Sequence, residues 1–279
     1  MSRLRLSGVA HAYALKEVLS DIDLTLDAGR VLALVGPSGC GKTTLLHLCA
    51  GLLTCQTGTL DNGFARQAVM FQQPRLLPWK TARDNIALGL KAAGLPRAEW
   101  QMRAQAMGHA VGLDATALDQ FPHQLSGGMQ SRAALARALV LEPDLLLMDE
   151  PFSALDIGLK AQLHRLLLDH QAARKVAVLM ITHDLMEAVR LADTVLVMAS
   201  DPGRIAYRVD LAQPATRRDD GFVHRGTAEL LQVPVVRECF GLEAPAMAAE
   251  PTPSARVGAG ATVIALETSR PAGKKGIAC

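Results

Sequence analysis

The stretch Gly36-Pro37-Ser38-Gly39-Cys40-Gly41-Lys42-Thr43 constrains this chain more than any other. Its G-x-x-x-x-G-K-[ST] spacing lets the backbone N–H groups of a glycine-rich loop converge on the phosphates of ATP or GTP. Lys42 then reaches the β- and γ-phosphates and the Thr43 hydroxyl holds Mg²⁺. The surroundings fit that use. Val31-Leu32-Ala33-Leu34-Val35 is an apolar run of strand type, and Lys42 to Cys49, with Thr44 in its first turn, reads as an amphipathic helix whose N-terminus faces the anion. Cys40 has two readings: a thiolate favoured by Lys42 and the helix dipole, open to alkylation and protected by ATP, or an inert small side chain filling the loop.

Hydrolysis of the nucleotide needs a second metal contact and a group that orients water. Leu145-Leu146-Leu147-Met148-Asp149-Glu150 supplies both at the end of an apolar strand. Ligands of such sheets bind outside the carboxyl ends of the strands, so Asp149 would hold Mg²⁺ and Glu150 would polarise or deprotonate the attacking water. The bland alternative, two acids capping a strand and solvating a turn, loses weight beside the phosphate loop. Val178-Leu179-Met180-Ile181-Thr182-His183-Asp184 repeats the arrangement, which places His183 at the same sheet edge. A lone histidine there is usually structural; this position argues for a sensor of the γ-phosphate.

Leu125-Ser126-Gly127-Gly128-Met129-Gln130 is a second glycine-rich start to a helix, with Ser126 able to cap or to donate and the dipole inviting an anion. The first phosphate-seeking helix end already occupies the chain's own nucleotide. The second most simply serves another nucleotide on a partner subunit, giving a two-fold dimer with ATP between the chains. Read alone, the same residues are an ordinary capped helix.

Composition narrows the remaining choices. The 279 residues carry a net charge of +2 from 29 basic and 27 acidic side chains, so no global field advertises nucleic acid. The apolar fraction of 49% suffices for a large core. No window approaches the roughly 18 uninterrupted apolar residues of a membrane span, and Met1-Ser2-Arg3-Leu4-Arg5 is not followed by the apolar run of a signal peptide. The five cysteines (Cys40, Cys49, Cys55, Cys239, Cys279) lack metal-ligand spacing and read as reduced cytosolic thiols.

Along the chain, strand and helix periodicities alternate. Runs at Leu4 to Val9, Val18 to Leu26 and Val31 to Val35 give a β-rich opening. From Thr81 to about Leu118 the pattern is helical, with Pro96 suited to a first helical position. After Gln124, helices at Met129 to Leu141, Ile157 to Ala173 and Leu185 to Ala192 alternate with strands at Asp144 to Met148, Val176 to Ile181 and Thr194 to Met198. Right-handed crossovers make that a mostly parallel sheet. Beyond Gln213 one helix remains around Thr227 to Gln232, and from Ala244 onward Ala, Pro, Gly and Thr dominate, which predicts a disordered tail.

Together these residues resemble the nucleotide-binding subunit of ABC transporters, with five motifs in the family's order between about Leu4 and Asp210. The resemblance implies an α/β fold: a P-loop NTPase core with a mostly parallel sheet, an N-terminal antiparallel β region and an inserted helical subdomain. It divides the chain into an ATPase domain over 3–212 with its insert at about 81–128, a helical extension over 213–243 and the tail 244–279. It makes Gly36 to Thr43 the phosphate loop, Gln72 a catalytic and metal-contacting glutamine, and Leu125 to Met129 the signature. Asp149 and Glu150 become the metal and catalytic acids, and His183 the switch. Ser153-Ala154-Leu155-Asp156 matches the loop that crosses the dimer, and Tyr13 falls where the family stacks an aromatic on adenine, core packing being the other reading.

Within the family, Met70 to Trp79 and Asp201-Pro202-Gly203-Arg204-Ile205 look like the nitrate, sulfonate and taurine importers. Trp79 would anchor the permease interface or close the helical insert. The implied ligands are ATP and Mg²⁺. The implied partners are a second ATPase subunit, transmembrane permease subunits and, indirectly, a solute-binding protein, at the cytoplasmic face of the membrane. The alternatives are an exporter ATPase or a soluble ABC-type ATPase of DNA repair or translation. The latter typically resemble tandem cassettes or carry long coiled coils, and the chain shows neither a repeat nor a sustained heptad.

Overall fold

The structure, a computed structural model, describes residues 2–242 and the backbone of Ala261–Ile264. Three strands, β1 (Arg3–Tyr13), β2 (Lys16–Asp27) and β4 (Thr57–Asn62), form an antiparallel sheet in the order β2-β1-β4. The central sheet contains β3 (Val31–Val35), β5 (Gln67–Met70), β6 (Leu145–Asp149), β7 (Ala177–Ile181), β8 (Thr194–Ala199), β9 (Arg204–Leu211) and β10 (Ala261–Ile264). Its order is β10-β9-β8-β3-β7-β6-β5, parallel from β8 through β5 and antiparallel at β9 and β10. The N-terminal antiparallel region and the mostly parallel core are thus both present.

Every residue of β3, β6 and β7 is buried, as strands covered on both faces must be. Their side chains still alternate between two cores. Val31, Ala33, Val35, Leu146, Met148, Val178 and Met180 join the core beneath α6 (Gly127–Leu139), α7 (Ile157–Arg174) and α8 (Leu185–Leu191). Leu32, Leu34, Leu145, Leu147, Leu179 and Ile181 join the opposite one, closed by α1 (Lys42–Cys49) and the inward side chains of the antiparallel sheet, Leu4, Leu6 and Ile22 among them. The helical segment between β5 and β6 resolves into α2 (Ala82–Ile86), α3 (Leu88–Ala92), α4 (Arg97–Ala110) and α5 (Ala115–Asp119).

Sequence periodicity gave no strand at β4, β5 or β9. β4 exposes four of its six residues and β5 has only four, so neither offers a sustained alternation. The single expected C-terminal helix is longer and doubled, α9 (Asp220–Gln232) followed by α10 (Pro234–Cys239), with Asp219 capping α9 and Pro234 opening α10. The segment read as a disordered tail lies outside the described residues, apart from Ala261–Ile264. These four pair with Arg208 to Leu211 as an edge strand.

Two glycines fit the antiparallel sheet to the phosphate loop. Gly41 has φ +93°, and a Cβ on it would lie 2.6 Å from Leu19 Cδ2 in β2. Gly203, in the turn between β8 and β9, donates to the Val18 carbonyl at 2.9 Å and accepts from Ser20 N–H at 2.9 Å, and a Cβ there would collide with the Cys40 carbonyl.

Candidate active site

The phosphate loop, Glu150, His183 and Gln72 follow β3, β6, β7 and β5, which are successive parallel neighbours in the sheet, so all four functional groups leave the same carboxyl edge. That is where a parallel sheet places its ligands. Three pairs of side chains meet there. Thr43 Oγ1 donates to Asp149 Oδ2 at 2.8 Å. Gln72 Nε2 donates to Glu150 Oε2 at 3.2 Å, and His183 Nδ1 lies 3.5 Å from Glu150 Oε1.

Asp149 is 4% exposed, and that burial pushes its carboxyl above the ordinary carboxylate range. The neighbouring Glu150 charge pushes the same way, against the Thr43 hydrogen bond and the charges of His47 and Lys42. Glu150 sits at φ +47°, a conformation of order 1–3 kcal/mol for a side-chain-bearing residue. Its N–H donates to the Ile181 carbonyl at 2.9 Å and its own carbonyl accepts from Ser153 Oγ at 3.0 Å. The turn therefore holds the carboxylate against both Gln72 and His183.

Lys42 turns back into its own loop, donating to the carbonyls of Gly36 at 2.8 Å and Pro37 at 2.7 Å. α1 begins at Gly41 with no side-chain cap, which leaves its first N–H groups free for an anion. Cys40 corrects one of the two readings. Its side chain is 1% exposed, and burial raises its pKa in spite of Lys42 3.7 Å away, so the thiol is protonated and shielded.

The signature is built differently. Ser126 caps α6 by accepting from Met129 N–H at 3.2 Å. A Cβ built on Gly127 would meet nothing within 4 Å, and one on Gly128 would lie 3.4 Å from the Ala154 carbonyl, beside the Ser153-Ala154-Leu155-Asp156 loop and not beside the chain's own phosphate loop. Tyr13, 48% exposed at the end of β1, packs edge-on against His11 at 4.9 Å, so it is a surface aromatic with one open face.

Sequence reasoning missed two residues that shape the loop after Gln72. Asn85, fully buried in α2, accepts from Leu77 N–H at 2.7 Å and donates to the carbonyls of Leu77, Lys80 and Thr81. Arg137 of α6 donates to the carbonyls of Pro74 at 2.7 Å and Arg75 at 2.9 Å. Neither stands in a spacing that marks chemistry, although a polar residue on the apolar side of a short helix is a usable signal. Trp79, which the same loop presents, is 67% exposed.

A phosphate loop at the start of a helix, with acids and a histidine on adjoining strand ends, defines a nucleoside triphosphate hydrolase. The profile of the family described as ABC transporter matches residues 19–153. An aliphatic sulfonates import ATP-binding protein of Corynebacterium glutamicum is 44% identical over 226 residues, covering 81% of this chain and 91% of that protein. A taurine import ATP-binding protein of Escherichia coli is 42% identical over 215 residues, 75% of this chain and 84% of that one. Among solved structures, the dimeric post-hydrolysis state of an ATP-binding cassette bound to ADP and phosphate aligns with a TM-score of 0.68 and 25% identity, over 74% of this chain and 97% of that one. This chain belongs to the ABC transporter family, as one of its ATP-binding, ATP-hydrolysing subunits.

Proposed function

We propose that the chain is the ATPase of an importer for small sulfonates such as taurine, working as a dimer on a separate membrane permease. The observation that carries the reading is the convergence of Gln72 and His183 on Glu150 beside the Thr43–Asp149 pair, with the signature helix left open. Glu150 is the base that polarises the attacking water, His183 reads the γ-phosphate, and Lys42 exchanges its loop carbonyls for phosphate oxygens. Thr43, Asp149 and the Gln72 amide form an all-oxygen donor set suited to Mg²⁺, which supplies charge neutralisation at the phosphates. Burial of Asp149 away from water fits a group meant to be compensated by a cation.

Ser126, Gly127 and Gly128 serve the nucleotide of the opposite subunit, and Tyr13 offers its open face to adenine. Closure of the dimer on ATP and its reopening after hydrolysis move the permease. Trp79 and the loop pinned by Asn85 and Arg137 form the surface toward it. Among the described residues no helix is long and apolar enough to cross a membrane, which fits a peripheral subunit.

The experiment is reconstitution in vesicles with a sulfonate-importer permease, a periplasmic-type binding protein, and labelled taurine. Uptake that requires ATP and is lost with Lys42→Ala supports the reading. Extrusion of solute, or ATPase activity indifferent to the permease, overturns it in favour of an exporter or a soluble ATPase.

A further inference from the structure

A partly buried charged cluster joins α7 to α8 outside the nucleotide-facing groups. Lys160 Nζ lies 3.0 Å from Glu187 Oε1 and 3.1 Å from Asp184 Oδ2. Glu187, whose side chain is 3% exposed, also lies 3.4 Å from His164 Nε2. Asp184 immediately follows His183 and caps α8, its Oδ1 accepting from Met186 N–H at 2.9 Å and Glu187 N–H at 3.1 Å, while its own N–H donates to Thr182 Oγ1 at 3.1 Å. The residues on both sides of His183 are therefore fixed by this cluster.

The other end of the cluster reaches the catalytic acid's loop. His164 stacks edge-on against Phe152 at 4.6 Å, and Phe152 is fully buried two residues after Glu150. α7, which carries both Lys160 and His164, starts at the Asp156 cap, directly after the Ser153-Ala154-Leu155-Asp156 loop beside Gly128. Burial works against charge on Lys160, Asp184 and Glu187, yet their mutual hydrogen bonds and charges leave Lys160 above its ordinary pKa and both acids below theirs. All three are charged at neutral pH, as a paired cluster needs.

We infer that Lys160 is a positioning residue for His183: by bridging α7 to Asp184 and Glu187, it makes the approach of His183 to Glu150 depend on where α7 and the loop before it stand. A change in the 153–156 loop is thereby passed to the chain's own switch through one ammonium group. The coupling runs through contiguous bonded groups with no step across open solvent. This rests on the assignment of His183 and Glu150 to hydrolysis.

The test is a double-mutant cycle on turnover by the full chain at saturating Mg-ATP, with single-turnover assays for the slow variants. Lys160→Met keeps the side chain's stem. Its ammonium borders a cavity of about 770 Å³ also lined by Asp184, Glu187, Arg165 and Arg190, and a circular-dichroism melt establishes that the variant is folded before its turnover is read. Lys160→Met is expected to lower kcat about tenfold with KM for ATP within twofold, and Lys160→Arg to restore most of the loss. In a His183→Ala background, Lys160→Met should cost less than twofold further. A loss of the same size in both backgrounds, a change confined to KM, or no loss at all overturns the inference. His183→Ala with near-normal turnover instead overturns the assignment beneath it.

Discussion

The two glycine-rich helix starts of this chain are finished to different degrees. At α1 the first turn has no side-chain cap, the loop folds around Lys42, and Thr43 is already bonded to the acid of a neighbouring strand. At α6 Ser126 caps the helix, and Gly127 faces nothing within 4 Å. One end is furnished with its loop, lysine and metal acid by its own chain; the other presents a smooth, capped surface that needs a counterpart from elsewhere. An anion site requires free N–H groups, a positive charge and walls, and only α1 has all three within the chain.

The largest expected effect breaks the completed site. Glu150→Gln keeps the shape of the side chain while replacing one of its basic oxygens with an amide NH2. Turnover should fall by about 10²-fold or more with ATP binding retained, as read by steady-state ATPase and by equilibrium binding of a fluorescent ATP analogue. Lys42→Ala should lose both. Near-normal turnover by the Gln variant would remove Glu150 from the chemistry.

Mixing tests whether the open end is completed by another chain. Ser126→Arg blocks the signature and Lys42→Ala disables the phosphate loop, so each homodimer lacks an intact composite site. A random mixed dimer has one. An equimolar mixture should regain roughly a quarter of wild-type activity, since half the dimers are mixed and each carries one of two sites. Size-exclusion chromatography with ATP establishes that the mixed dimers form, and if mixtures then stay as inactive as either variant, the two-chain site is wrong or both sites must fire together.

Much of this comparison was legible in the sequence, because phosphate chemistry demands fixed residue types at fixed spacing. The strand ends carrying Asp149, Glu150 and His183 were equally plain, since buried parallel strands read as unbroken apolar runs. β9 was legible in principle: Ile205, Tyr207, Val209 and Leu211 recur with period two. What no pattern could give are contacts set by tertiary packing. Lys160 and Glu187 are far apart in sequence, as are Arg137 and the Pro74 carbonyl, and only the fold brings them together. Cys40 was left with two readings for a related reason, because proximity to Lys42 argued for a thiolate and the burial that outweighs it is invisible in sequence.

A smaller effect should come from the bonds that tie α6 to the loop after Gln72. Arg137, near the far end of α6 from the signature, holds the Pro74 and Arg75 carbonyls just past Gln72, and burial lowers the pKa of its guanidinium. Arg137→Lys keeps the charge but cannot fork to both oxygens. Turnover should drop by the equivalent of about 0.5–2 kcal/mol in coupling, with nucleotide affinity unchanged. Hydrogen exchange at Phe71 to Leu77 should rise, and unchanged exchange there would sever the proposed link between α6 and the Gln72 loop.

The smallest effect is expected at Cys40, where the completed site is most tightly closed. A maleimide needs an exposed thiolate, and the raised pKa means that moving from pH 7 to pH 8 still leaves this thiol protonated, in a side chain with 1% of its surface exposed. Labelling should therefore fall on other cysteines, with Cys55 and Cys239 the more accessible among the described residues. Cys40→Ser should neither slow labelling nor change the rate at which the reagent inactivates the enzyme, and Mg-ATP should give no protection at this position. Peptide mapping after brief treatment at both pH values decides it. Rapid, ATP-protected modification of Cys40 would mean that the loop opens in solution far enough to expose its interior, and the contrast between a closed α1 site and an open α6 surface would have to be redrawn as a difference in dynamics.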